Sequence, residues 1–146
     1  MVEDGVSTLV PLEARLNKDY EITGYYVNDH NTSNDDLLKA YHMAKSAMTP
    51  LPKADIMKRL GVMAMVITVP KDFSPKVLAM KTEVLADKLT AYPADILLKC
   101  FDYIERHNKF WPTLSEFHEY MSWQVKPRKL MCEQLQKCIA KRTNLV

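Results

Sequence analysis

Glycine is scarce in this chain, with three residues in 146. Glycine-lined phosphate loops, tight hairpin turns and doubly wound dinucleotide folds all need residues at positive φ, so the scarcity argues against each of them. Cysteine is equally rare: Cys100, Cys132 and Cys138 are odd in number and too few for a disulfide framework. They read as reduced thiols of a cytoplasmic protein. Long apolar runs are missing as well. The longest, Gly61–Val69, is interrupted by Thr68 and closed by Pro70, short of the ~20 residues a membrane helix needs. The first one, Val6–Leu12, is broken by Ser7, Thr8 and Pro11 and has no leader character.

Motifs for chemistry are wanting too. His30, His42, His107 and His118 are scattered, and none pairs with another at metal-binding spacing. A nucleophile elbow, a Walker lysine loop and an HExxH helix are absent from the sequence. Cys132 and Cys138 stand six residues apart, which aims them in different directions around a helix and rules out CxxC chemistry. The expectation is a non-enzyme with no catalytic residue, metal, cofactor or small-molecule substrate.

Positive charge is scarce at the start of the chain rather than in the whole. The formal net charge is +2, from 20 Lys+Arg against 18 Asp+Glu. Residues 1–38 hold eight acids and two bases, a net of −6, and residues 39–146 hold the balance of +8. Residues 1–32 lack sustained periodicity, although Val6–Leu16 has the makings of a helical turn and Tyr20–Val27 alternates as a strand does. The reading is an acidic, extended or disordered arm (1–32), available to a basic partner or to shield basic surface in cis, ahead of a helical domain (33–146).

From Ser33 onward the period is helical. Ser33 with Asp36 predicts a capped helix through Leu37, Tyr41, Ala44 and Met48, ended by Pro50 and Pro52. A second helix spans about 53–67, with a β-branched tail over Val62–Val69. Ser74-Pro75 starts a third that presents Val77, Leu78, Lys81, Val84, Leu85 and Leu89, Pro93 a fourth with Leu97, Cys100, Phe101 and Ile104 inward, and the capping box Thr113-Leu-Ser-Glu116 a fifth. Pro127 is expected to open the last, with Met131, Leu135, Cys138 and Arg142 on one side. The predicted fold is all-α, one compact domain of five to six helices behind the poorly structured arm.

Two sets of residues are candidates for binding. Phe110, Trp111, Tyr120 and Trp123 belong to the densest aromatic stretch, and aromatics off the buried stripe suit a protein-docking hot spot. Lys126, Arg128, Lys129, Lys137, Lys141 and Arg142, against Glu133 alone, make residues 126–146 the most basic segment, suited to phosphate contacts of nucleic acid. The plainer alternatives are packing beneath a helix corner for the aromatics and a solvated helix exterior for the cations.

The run VLADKLTAYPADILLKCFDYIERHNKFWPTLSEFHEYM, and KFWPTLSEF (109–117) within it, resembles a pattern in small phage and prophage replication accessory proteins, the loaders and inhibitors of the replicative helicase. The resemblance covers about residues 76–129. It implies a non-enzymatic adaptor that binds the replicative helicase or another replication protein, in the cytoplasm of a bacterial or phage-infected host cell. In that family the folded part is N-terminal and the mobile tail C-terminal, whereas here the unpatterned segment comes first. The alternative is a repressor-like DNA-binding module that uses the basic C-terminal helix.

Overall fold

The computed structural model describes residues 2–144. Among them are six helices and one two-stranded sheet, in the order α1 (Val2–Leu9), β1 (Leu12–Leu16), β2 (Ile22–Val27), α2 (Asn34–Ser46), α3 (Lys53–Val66), α4 (Pro75–Leu89), α5 (Ala94–His107) and α6 (Leu114–Asn144). No helix among the described residues is long and apolar enough to cross a membrane. The helical class is as expected; the extended arm is not. Residues 2–27 form a helix and an antiparallel hairpin instead of a poorly structured segment.

The chain divides into two compact units. One combines residues 1–48 with 124–146, and the other is the continuous segment 49–123. In the first, Val6 and Val10 meet Tyr25 and Val27 of β2, Leu37, Ala40 and Ala44 of α2, and Met131, Leu135 and Cys138 of α6 in one buried cluster. That burial is what orders the N-terminal segment. An eight-residue helix and a lone hairpin are each too small to persist in water, and apolar burial against α6 supplies the missing stabilisation.

The hairpin forms without a glycine, through a loop over residues 17–21 in place of a tight turn. Its turn places Tyr20 at φ 61, left-handed backbone for a residue with a side chain. Asn17 compensates: its Oδ1 accepts from the amides of Asp19 (2.9 Å) and Glu21 (3.0 Å), and its carbonyl accepts from Tyr20 N (3.1 Å). An Asx turn thus does the work for which glycine is the usual choice. Gly24 lies in β2, where an added Cβ would meet nothing within 4 Å.

Segment 49–123 follows the sequence more closely. Ser33 Oγ (for α2, in the first unit) and Ser74 Oγ (for α4) accept from the amides three residues on, at 3.1 and 3.2 Å. Ile96, Leu97, Cys100, Phe101 and Ile104 of α5 are buried, as are Ile56, Leu60 and Met63 of α3. Arg59 of α3 donates to both Glu105 and Asp102 of α5 while lying 5.3 Å from the centre of the Phe101 ring.

Pro127 does not begin a helix. It sits inside α6, which runs unbroken over 31 residues. Proline there removes the amide that would bond to the Trp123 carbonyl, at a cost of ~3 kcal/mol. Buried Phe117 and Met121 before it, and Met131 and Leu135 after it, anchor the helix on either side.

Two expected outcomes follow from this packing. Leu135→Ala, at a fully buried position, should lower unfolding free energy by about 2–5 kcal/mol in urea titration. Tyr20→Gly should raise the urea midpoint, since the left-handed penalty of about 1–2 kcal/mol exceeds the added chain entropy of about 0.5–1 kcal/mol and the ring is solvent-exposed.

Candidate functional site

Within segment 49–123, an apolar surface cleft of ≈ 540 Å³ opens between α4, the connector before it and the corner that leads into α6. Pro70 and Phe73 form one wall, Met80 and Val84 of α4 another, and Trp111 and Leu114 the third. Met80 is 59% exposed and Val84 62%, a large apolar surface to leave facing water. Lys81 and Lys88 also line the cleft, and there is no carboxylate among its described lining residues. Lys81 Nζ stands 4.8 Å above the Phe73 ring, a cation–π contact that holds both side chains at the rim.

Backbone pairing fixes the corner. Thr68 donates to the Lys109 carbonyl (2.9 Å) and accepts from the Trp111 amide (3.0 Å), which ties the chain after α3 to the chain before α6. The expected capping box then forms: Thr113 Oγ1 accepts from Glu116 N at 3.2 Å and Glu116 Oε1 receives Thr113 N at 3.5 Å. Glu116 Oε2 also accepts from Asn108 Nδ2 at 2.9 Å. Trp111 is therefore presented by a connector with little freedom of its own.

The four aromatics proposed for docking do not gather into one patch. Trp111 alone lines the cleft. Phe110, its neighbour in the chain, is 65% exposed. Tyr120 is half-buried, donates its hydroxyl to Asn108 Oδ1 (3.3 Å) and meets the Tyr103 ring edge-on at 4.9 Å, a packing role. Trp123 is 71% exposed on α6. The sequence reading missed Phe73 and Met80, and it grouped Val84 with the inward side of its helix. The structure buries Leu85, Ala86 and Leu89 there and turns Val84 outward. The signal was present, because α4 carries apolar residues over more of its circumference than one buried stripe occupies.

The six basic residues also divide. Arg128 Nη1 donates to the carbonyl of Ala47, the C-cap of α2, at 3.0 Å. Arg142 donates to Asn34 Oδ1 (2.8 Å) and to the Asp29 carbonyl (2.6 Å), and its guanidinium lies 3.4 Å from the Asp29 carboxylate. Both arginines hold their unit together. Lys126, Lys129, Lys137 and Lys141 are exposed. The acidic segment does not act as a detachable shield, because its apolar residues are core and Asp29 is committed to Arg142.

Among the described residues, no group of three or more His, Cys, Asp or Glu is placed to hold a metal ion. His118 Nδ1 faces the Tyr92 hydroxyl at 3.0 Å. Burial pushes the Cys100 thiol up to about 12, and burial likewise raises Cys132 and Cys138. Such thiols stay protonated and unreactive near neutral pH. Comparisons with family models, curated proteins and solved structures find no match to the chain.

The thiol shift has a definite sign. Unfolded Cys100 ionises near its ordinary 9.0 and folded Cys100 near 12, so its contribution to stability is complete below pH 9 and declines as pH rises toward 12. The urea midpoint of the wild-type chain should fall more steeply between pH 8.5 and about 10.5 than that of Cys100→Ala. Parallel pH profiles would contradict burial of this thiol.

Proposed function

We propose that this chain is a binding adaptor whose 49–123 unit receives an apolar helical segment of a partner protein, flanked by acidic residues. The observation that carries the reading is the cleft itself, with its apolar walls, outward Met80 and Val84, and two lysines without a lining carboxylate. Apolar side chains of the occupant would replace water against Phe73, Val84 and Trp111, and its carboxylates would meet Lys81 and Lys88. The resemblance of residues 109–117 to phage helicase loaders and inhibitors falls on the connector that presents Trp111. It supports a replication protein, and the replicative helicase in particular, as the partner. In this reading the protein acts by occupying or positioning that partner and performs no chemistry on it.

The test is a fluorescence titration of the full chain with purified bacterial replicative helicase. The Trp123→Phe variant leaves Trp111 as the chain's single tryptophan, and its emission read at a wavelength-resolved difference should shift on binding. Val84→Glu, which sets a carboxylate into the cleft, should weaken binding at least tenfold, about 1.4 kcal/mol. Val62→Glu, at an exposed apolar site on α3 outside the cleft, should leave it within twofold. Equal effects of the two glutamates, or no response to the helicase, would overturn the assignment.

A further inference from the structure

The outward side of α6 from Lys126 onward points to a second binding surface, independent of the cleft and of the partner proposed for it. Met131, Leu135 and Cys138 are buried, and with half-buried Arg128 and Arg142 they define the inward side of this half of the helix. At ~100° per residue, Lys126, Lys129, Lys137 and Lys141 fall within an arc of about 120° centred opposite that side. They extend over about 22 Å at 1.5 Å per residue. All four are exposed, and none forms an ion pair among the described residues.

We propose that this lysine face binds the phosphate backbone of nucleic acid. A cationic face about 22 Å long matches a linear polyanion, which on duplex DNA presents a charge every ~1.7 Å of axis. The chemistry between the lysines separates nucleic acid from a membrane surface. Peripheral membrane helices place Trp, Phe or Leu beside their cations; here Trp123 is exposed one turn before Lys126, but no large exposed apolar side chain lies between the lysines from 124 to 142. The intervening exposed positions are Glu133, Gln136 and Ala140. Binding of this kind reads charge and not base sequence. Glu133 lies within the row and opposes it, so it sets the affinity below what four lysines alone would give.

Anisotropy of a labelled 20-base-pair duplex, titrated with the full chain across salt concentrations, tests the surface. Four phosphate contacts predict a log–log salt slope near −3.6, or roughly a hundredfold loss of affinity between 50 and 200 mM salt. Replacing all four lysines by glutamine should abolish most binding at 50 mM and bring the slope toward zero, with helical content by circular dichroism unchanged. Glu133→Gln should tighten binding severalfold. A quadruple variant that binds like wild type, or a wild type that does not bind at 50 mM salt, would overturn the proposal. So would equal or tighter binding to phosphatidylserine vesicles or to a poly-glutamate peptide, which would make the face a membrane or an acidic-protein surface instead.

Discussion

The first unit depends on one burial, that of the apolar side of α6 beyond Pro127 against the first third of the chain. Met131, Leu135 and Cys138 have no local partners that could cover them, because the residues before and after on α6 share the same rod. Val6, Val10, Tyr25 and Val27 supply the cover from the far end of the sequence, with α2 between. Elements this short gain order only through such contacts, so α1 and the hairpin fold with α6 or not at all. The two arginines reinforce the closure. Each turns a guanidinium inward onto backbone carbonyls, an arrangement suited to its forked, multiply donating head.

The other unit is built by nearby pieces of chain. Segment 49–123 is continuous, α3 packs on both α4 and α5, and the helix starts are set by Pro52, Ser74-Pro75, Pro93 and Thr113. Local construction explains why the cleft has a firm wall. The Thr68 pairing and the Thr113–Glu116 box fix the backbone on both sides of Trp111, so a partner need not first order it.

The same contrast decides how much the sequence disclosed. Caps at Ser33, Ser74 and Thr113 and the stripe Leu97–Cys100–Phe101–Ile104 are short-range signals, and the structure contains each of them. The N-terminal elements left local traces, such as the strand-like alternation of Tyr20–Val27, but what orders them was hidden because their partner lies about a hundred residues away, and neither period nor composition records a contact of that span. Tyr20 in a turn conformation that favours glycine added to the concealment, since the side chain of Asn17 rather than a glycine makes the turn. Pro127 misled in the opposite direction: its local preference is for a helix start, and packing on both sides carried the helix through it. The cleft was half legible. Trp111 was a candidate, but Met80 was passed over and Val84 read as an ordinary member of an amphipathic helix until the structure assigned its buried side to Leu85, Ala86 and Leu89.

Charge shows most clearly why position along the chain is a poor guide to position in space. By sequence the protein is a −6 segment followed by a +8 body. Divided by compact unit, residues 1–48 with 124–146 carry ten bases and nine acids, and residues 49–123 also carry ten and nine. Each unit is +1, and the polarity of the chain has disappeared into the folding of its ends together. What survives is finer than net charge. In the first unit, Asp29 is spent on Arg142, while the lysines on the outer side of α6 have no internal counter-ion among the described residues. In the second, Lys53 lies 3.5 Å from Glu83 whereas Lys81 and Lys88 face an apolar cleft. A cation held by a carboxylate costs a partner that carboxylate before it can be used, and an exposed cation beside neutral neighbours does not. In both proposed readings, recognition follows from which lysines the fold leaves unpaired, at a total charge that would otherwise suggest no preference.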